Sequence, residues 1–178
     1  MPRQLIPSTI LALTCLLPPT ALADDDAAGP FALRAALGVA SVSEDGFDES
    51  LMAGAGGALS VSRVLDVTAG LRYYPDFSSN GASSDGGVEV LMAHVGAELG
   101  WDFGRLRPFL RPELNLWQAR PEYEGRDLDD DEGASLALFT GLELLVSRNI
   151  GLIIEAGRSA DVSGTDLDTL SLGAAFRF

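Results

Sequence analysis

Segments in which apolar side chains recur at every second position run through most of the chain. In the segment 135–147, one parity carries Leu136, Leu138, Leu142 and Leu144, whereas the other carries a mixed set that includes Glu143. A two-residue period places successive side chains on opposite faces of an extended chain, so it indicates strands and not helices. The same test predicts eight strands, at residues 31–43, 51–62, 67–75, 88–101, 108–118, 135–147, 152–160 and 169–178.

The connections between these strands alternate in length. Short turns are predicted at 63–66, 102–107 and 148–151, and long polar loops at 44–50, 76–87, 119–134 and 161–168. Four long loops on one side and three short turns on the other are typical of an even-stranded barrel with both termini at the short-turn end. The predicted fold class is therefore all-β, an eight-stranded antiparallel up-and-down barrel.

The first 23 residues have the features of a cleaved secretory signal peptide. A basic start with Arg3 precedes an uncharged run over 5–17, and Ala21-Leu22-Ala23 supplies small residues at the cleavage positions. The run is shorter than the roughly 20 apolar residues that span a bilayer. We therefore assign 1–23 to a signal peptide and 24–178 to the barrel. The single cysteine, Cys15, lies in the first part, so 24–178 holds no disulfide or thiolate site.

The minor face of the predicted strands carries four arginines and four glutamates, while the opposite face is almost purely apolar. An arginine facing lipid costs about 2–4 kcal/mol at the bilayer midplane. We therefore predict a transmembrane barrel with these charges in its lumen, paired because buried charges persist only in pairs. Some of them could instead lie at the rims. The predicted lumenal charges are Arg34, Arg72, Glu98, Arg111, Glu113, Glu143, Glu155 and Arg177, with Ser60, Asn115, Gly54, Gly56 and Gly70 filling the gaps.

Aromatic residues on the apolar face fall near strand ends, as in the girdles that flank the apolar band of transmembrane barrels. At the short-turn end they are Phe31, Trp101, Phe103, Phe176 and Phe178, and at the loop end Tyr73.

One residue conflicts with a regular ladder. Pro112 falls in mid-strand, where it cannot donate a hydrogen bond, and a closed barrel has no edge to accommodate it. A local bulge is predicted there.

With these features the chain resembles the small eight-stranded outer-membrane barrels of the OmpA/OmpX type. The resemblance implies a location in the outer membrane of a Gram-negative bacterium, with lipid and lipopolysaccharide as surroundings and both termini in the periplasm. In that family, a last strand ending in phenylalanine is read by the outer-membrane assembly machinery. The resemblance does not extend to the peptidoglycan-binding domain of OmpA. The residues of this chain that match the assembly signal are Leu170, Leu172, Ala174, Phe176 and Phe178.

The acidic residues are concentrated in the predicted loops. The chain has a formal net charge of -14 and no lysine, so it repels nucleic acid. Acidic loops could bind divalent cations, could bind a basic surface partner, or could simply keep the loops hydrated. A weak calcium-loop pattern runs through Asp127, Asp129 and Asp131, but its glycine comes one place late and its closing glutamate is missing.

The sequence offers little for catalysis. A Ser-His-acid arrangement needs a histidine, and the only one, His94, is predicted in mid-strand facing the lumen. No cofactor motif and no metal-ligand cluster of histidine and cysteine is present. The sequence therefore predicts a non-enzymatic barrel that acts in envelope structure or in surface interaction and adhesion. A narrow porin-like channel for water or small solutes is the alternative, and a lipid-modifying enzyme is a weaker one.

Overall fold

The computed structural model describes residues 29–43, 49–77, 86–123, 126–127 and 131–178. The predicted signal peptide lies outside these residues. The described chain forms eight long antiparallel strands, and the predicted fold class is confirmed. They are β1 (Phe31–Val42), β2 (Ser50–Ser60), β3 (Leu65–Tyr74), β4 (Gly86–Gly100), β5 (Leu106–Tyr123), β6 (Asp131–Leu145), β7 (Ile150–Val162) and β8 (Thr165–Arg177).

Each strand pairs with its sequence neighbours, and β1 pairs with β8, so the sheet closes. The paired residues also fix the stagger of the barrel. One row of partners that starts at Leu144 returns to β6 at Ala134, ten residues away (144 − 134), and this stagger tilts the strands by roughly 40°. The row runs through Leu144, Leu152, Ala174, Ala35, Ala55, Leu71, Ala93, Leu116 and Ala134.

The two ends of the barrel differ. At the turn end, short connections join β2 to β3, β4 to β5 and β6 to β7; at the loop end lie the other four connections. The prediction of a long fourth loop over 161–168 is wrong. Only Ser163 and Gly164 separate β7 from β8, and both have positive φ, 52° and 83°, as a tight hairpin turn requires. The third loop is also shorter than predicted, because β5 continues to Tyr123.

A two-residue extended segment, Arg126–Asp127, pairs with the end of β5. The strands around the third loop therefore continue beyond the point where β7 and β8 turn.

The predicted bulge at Pro112 is wrong. Pairing between β4 and β5 stops between the pairs Gly96–Glu113 and Leu99–Leu110, but the register is the same on both sides. Since proline has no N–H to donate, the missing ladder bond accounts for this interruption without an inserted residue. On its other side, Pro112 pairs in register with Leu138. The register shift in the described residues lies elsewhere, between Ser159 and Val162.

The two faces of the sheet have opposite character. Large apolar side chains cover the outside and are exposed in the isolated chain; for example, Leu37, Leu51 and Leu136 are 71%, 69% and 70% exposed. The inside carries the buried polar and charged residues. A continuous apolar exterior around a polar interior is the arrangement that lipid stabilises. In the part of the chain that the structure describes, no helix is long and apolar enough to cross a membrane.

Candidate functional site: the lumen and the two ends of the barrel

Glu98 is the acceptor around which the turn-side half of the lumen is organised. Its carboxylate is fully buried and accepts hydrogen bonds from three guanidinium groups. Arg34 donates to both oxygens at 2.5 and 2.9 Å, and Arg107 and Arg111 donate at 2.7 and 3.1 Å. Because each lone pair has a charged donor, the ionised carboxylate is compensated in a site that water does not reach.

Arg111 is the complementary donor, one layer towards the middle of the lumen. Besides Glu98 it contacts Glu113 at 2.6 Å and Glu155 at 2.7 Å. Glu113 also accepts hydrogen bonds from both terminal nitrogens of Arg72, at 2.7 and 2.9 Å. Five side chains of β3, β4, β5 and β7 are thereby linked across the barrel.

The structure also brings together the last two of the eight predicted lumenal charges, since Arg177 donates to Glu143. Two further charges, which sequence reasoning assigned to the short turns, lie in the lumen as well. Asp66 and Arg107 are 5% and 6% exposed and form an ion pair at 3.0 Å. With these two, the charge network holds five arginines and five acids: Arg34, Arg72, Arg107, Arg111, Arg177, Asp66, Glu98, Glu113, Glu143 and Glu155.

The loop-side half of the lumen is filled by apolar side chains, which sequence reasoning did not anticipate. Phe77, just after β3, folds back into the mouth, where its ring stacks on Tyr74 with centroids 5.9 Å apart and its N–H donates to the Val88 carbonyl. We call the following residues the apolar cluster: Ala40, Met52, Tyr74, Phe77, Val90, Met92, Trp117, Ala119, Val162 and Leu167.

Glycines make room for large lumenal rings. Phe109, Trp117 and Phe139 each lie directly opposite a glycine of the neighbouring strand, at Gly141, Gly133 and Gly157. A β-carbon at any of these three glycines would meet the ring of its partner. Pairing of an aromatic ring with a cross-strand glycine lets a narrow barrel hold a bulky side chain, so these pairs help to close the lumen.

A small cavity remains on the side of the lumen where β1, β2 and β3 carry small residues. Its volume is about 50 Å³, and Gly54 and Gly56 are in its wall, beside Thr68 and His94. Thr68 Oγ1 and His94 Nδ1 have no hydrogen-bond partner among the described residues. Most of its wall is apolar, and a cavity of this size has room for at most a few water molecules beside these two polar atoms and for no larger solute.

The remaining predicted lumen fillers fall in different places. Asn115 is fully buried and donates to Ser159 at 3.3 Å, and Gly70 lies against the His94 ring. The prediction for Ser60 is wrong, since this residue is exposed at the turn end of β2. His94 lies opposite Asn115 and beside Gly70. Ser171 is in the wall of the same cavity, but among the described residues no hydroxyl group donates a hydrogen bond to His94 Nδ1, as a Ser-His-acid arrangement would need.

The outer face carries the predicted aromatic residues and the last-strand pattern. Phe31 and Phe178 stack at 6.4 Å, and Phe176 lies 6.2 Å from Phe178. Leu170 and Leu172 are more than half exposed, on the same face. The structure thus places a group of three aromatic rings at the turn ends of β1 and β8, where an interfacial girdle is expected. The role of the last strand in assembly stays a prediction.

The loop end is acidic. The residues near it whose side chains are described include two arginines, Arg120 and Arg158, and eight acids. Arg158 donates to both oxygens of Asp168 at 2.6 Å on the outer face, with Asp166 at 3.7 Å. The eight acids are Glu49, Asp76, Glu89, Asp131, Glu132, Asp161, Asp166 and Asp168.

The weak calcium candidates gain no support from the described residues. Asp131 accepts a hydrogen bond from Ser163 at 2.5 Å, Asp129 lies outside the described residues, and the Asp127 side chain is not described. Among the side chains that can be placed, no group of three or more His, Cys, Asp or Glu could hold a metal ion.

Comparison with known proteins gives a family and a set of structural relatives. The model of the outer membrane protein beta-barrel domain matches residues 9–178, nearly the whole chain. No curated protein sequence matches. Among solved structures, Neisserial surface protein A is similar with a TM-score of 0.71 and 18% identity, over 86% of this chain and all of that one.

Two further structures show the same likeness. Ail, the attachment invasion locus protein of Yersinia pestis, has a TM-score of 0.63 at 15% identity and covers 85% of this chain and 99% of its own. The N-terminal β-barrel domain of Pseudomonas aeruginosa OprF has a TM-score of 0.60 at 10% identity, with coverage of 85% and 99%. At these identities the likeness is one of fold.

Proposed function

The chain belongs to the outer membrane protein β-barrel family, and from that premise we propose that it is a non-enzymatic, non-conducting outer-membrane protein that binds a basic partner through its acidic loop end. The observation that carries the proposal is the filled lumen. The charge network occupies the turn-side half and the apolar cluster the loop-side half. An eight-stranded barrel is only wide enough for its side chains to fill. The function is thereby left to the surfaces.

Both halves of the filled lumen argue against the channel alternative. In the turn-side half, an ion would have to displace guanidinium and carboxylate groups whose separation leaves uncompensated buried charge, at about 3–5 kcal/mol for each broken pair. In the loop-side half, the tightly packed apolar cluster offers no polar partner to replace the hydration shell. The cavity near His94 borders both regions, at Arg72 of the charge network and Met52 of the apolar cluster, and its volume of about 50 Å³ has room for only a few water molecules.

Conductance of the purified protein in planar bilayers tests this part of the proposal. We expect no steady single-channel steps at about 1 M salt, a concentration at which surface charge is screened. Steps of fixed size that survive in a variant lacking the loop-end acids would establish a pathway through the lumen and favour the narrow channel instead.

Charge complementarity points to the class of partner. Eight acids and two arginines surround the described loop end, and the sequence places further acids in the connections. A field of one sign attracts ligands of the opposite sign and is weakened by salt. Ail has been solved in complex with a heparin analogue, sucrose octasulfate, which is a polyanion. The acidic loop end of this chain favours polycations, so the similar fold does not carry over the same ligand class.

Binding of polylysine and of heparin to the protein in nanodiscs tests the partner class. Polylysine should bind at low salt and dissociate as salt rises, and heparin should not bind. The variant Glu132→Gln should weaken polylysine binding, whereas Asp102→Asn, which removes one exposed negative charge at the turn end, is the matched control and should not. Equal binding of heparin and polylysine would refute the assignment.

The enzyme alternative has one candidate base, His94, and it lies in the lumen between Arg72, Asn115 and Gly70. Lipid extracts from cells that express the parent protein and from cells that express the His94→Ala variant should have the same lipid A mass spectrum. A modification that depends on the protein and disappears with His94→Ala would establish catalysis.

A further inference from the structure

Two of the three short turns repeat one sequence and one hydrogen-bond pattern. Val61–Leu65 and Val146–Ile150 both read Val-Ser-Arg, then one variable residue, then Leu or Ile. In each, the first residue's N–H donates to the last residue's carbonyl at 2.9 Å. The serine hydroxyl also accepts the N–H two residues later, at 3.3 Å in both turns. The repeated geometry holds Arg63 and Arg148 at equivalent exposed positions.

The remaining short turn presents an arginine by another route. Phe103 and Leu106 exchange backbone hydrogen bonds at 2.8 and 3.3 Å around the dipeptide Gly104-Arg105. Gly104 has a φ of 68°, which a glycine adopts without strain. Arg105 is exposed. Every short turn of the described barrel thus carries one exposed arginine at or next to its tip, although the turn at Gly104-Arg105 differs from the other two in sequence and hydrogen bonding.

The position of these arginines beyond the turn-end aromatic residues corresponds to the expected depth of lipid headgroups. Phe31, Phe176 and Phe178 mark the interface at this end of the barrel, and Trp101 begins one of the turns. Each arginine is within about three residues of a strand end, so its backbone is no more than about 10 Å beyond the girdle. A long arginine side chain reaches back from there to the phosphate layer.

The charge at this end is positive, in contrast to the rest of the molecule. The three turns carry Arg63, Arg105 and Arg148 against one exposed acid, Asp102. The arginines of the charge network point into the barrel and do not contribute to this surface. The planar guanidinium group binds phosphate through two parallel hydrogen bonds, and the chain uses arginine for every basic residue.

We propose that Arg63, Arg105 and Arg148 form a binding surface for the phosphate groups of anionic phospholipids in the inner leaflet of the outer membrane. The surface fixes the depth of the barrel and keeps its turn end on the periplasmic side. This surface lies at the opposite end of the barrel from the acidic loop end. Lipid binding here and partner binding at the loop end can therefore be tested separately.

Trp101 is a built-in probe for lipid at this end. The chain has two tryptophans, and Trp117 lies inside the lumen. In a Trp117→Phe background, lipids with brominated chains quench Trp101 when they occupy neighbouring sites. Near an anionic surface, one arginine contributes about fivefold in affinity (about 1 kcal/mol). We therefore expect brominated phosphatidylglycerol to bind next to Trp101 about fivefold more strongly than brominated phosphatidylcholine at low salt, with the preference falling as salt rises.

The variant Arg63→Gln/Arg105→Gln/Arg148→Gln should lose this preference, with equal quenching by both lipids. The matched control, Arg120→Gln/Arg126→Gln/Arg158→Gln, removes the same charge near the loop end and should keep it. Equal quenching by the two lipids in the parent protein, or the same loss in both triple variants, overturns the proposal. If Trp117→Phe fails to refold, the comparison is made with both tryptophans present, because lumenal Trp117 adds a constant signal.

Discussion

Removal of the Arg111 charge is the sharpest test of the charge network. In Arg111→Gln, Glu98 keeps Arg34 and Arg107, and Glu113 keeps Arg72. Glu155 has no other arginine among the described residues and retains a hydrogen bond from Ser171 at 3.2 Å. The substitution therefore leaves one buried carboxylate without a cation. The second substitution, Glu155→Gln, removes that carboxylate and restores balance with four charges of each sign.

The contacts that each substitution removes set the expected change in the free energy of unfolding. Arg111→Gln should lower the free energy of unfolding by about 3–5 kcal/mol, the cost of an uncompensated buried charge. Glu155→Gln alone should cost about 1–3 kcal/mol, because Arg111 keeps two other carboxylates. In the double variant, the loss of Glu155 relieves the defect that Arg111→Gln creates. We therefore expect the double variant to be more stable than the sum of the single losses predicts, by about 1–3 kcal/mol.

Reversible urea unfolding of the protein in lipid vesicles, followed by tryptophan fluorescence and by the heat-modifiable shift of the folded band in gels, measures all four members of this cycle. Losses that add to within about 0.5 kcal/mol would mean that Arg111 and Glu155 act independently, and the description of a balanced network would be wrong.

Three smaller changes follow from single contacts. Gly157→Ala places a β-carbon against an aromatic ring and should destabilise by about 1–3 kcal/mol, whereas Gly57→Ala on the outer face makes one ordinary contact at 3.4 Å and should be nearly neutral in the same urea assay. Gly164→Ala puts a side chain at a φ of 83° and should cost about 1–2 kcal/mol, visible as a lower unfolding midpoint. Asp168→Asn breaks the exposed pair with Arg158 and should cost less than about 1 kcal/mol; a loss as large as that of a lumenal pair would mean that lipid excludes water from this site.

Most of the fold could be read from the period of the sequence, because a strand in a closed barrel has one face in lipid and the other in the lumen. This requirement fixed the parity of every strand, and the strand ends differ from the prediction by a few residues. The fourth loop could not be read in the same way. Asp161, Asp166 and Asp168 suggested a solvated loop, but a Ser-Gly turn at positive φ lets β7 and β8 extend over all three, and Asp168 pairs in register with Arg158.

The lumen was accessible to sequence reasoning only in part. Charged residues on an otherwise small and polar face stand out, and all eight predicted charges lie in ion pairs. Asp66 and Arg107 were missed because β3 and β5 were predicted to begin at 67 and 108, two residues late, although their parity matches that of Arg72 and Arg111. The apolar cluster was missed for a different reason: in the loop-side half, both faces carry apolar residues, and the two-residue period no longer separates them.

The division of the lumen into a charged half and an apolar half makes a prediction about conductance that neither half makes alone. Arg111→Gln opens the charge network at its centre, but the apolar cluster beyond it, with Trp117 8% exposed and Tyr74 fully buried, still fills the loop side. Apolar walls offer an ion no interaction that offsets its lost hydration. We therefore expect no channel conductance in planar bilayers that contain the Arg111→Gln variant. Trp117→Ala removes the largest ring of the cluster, so Arg111→Gln/Trp117→Ala is the variant in which transient openings are expected. Channels in the single variant Arg111→Gln would show that the charges alone close the barrel, and the apolar cluster would then be packing without a role as a barrier.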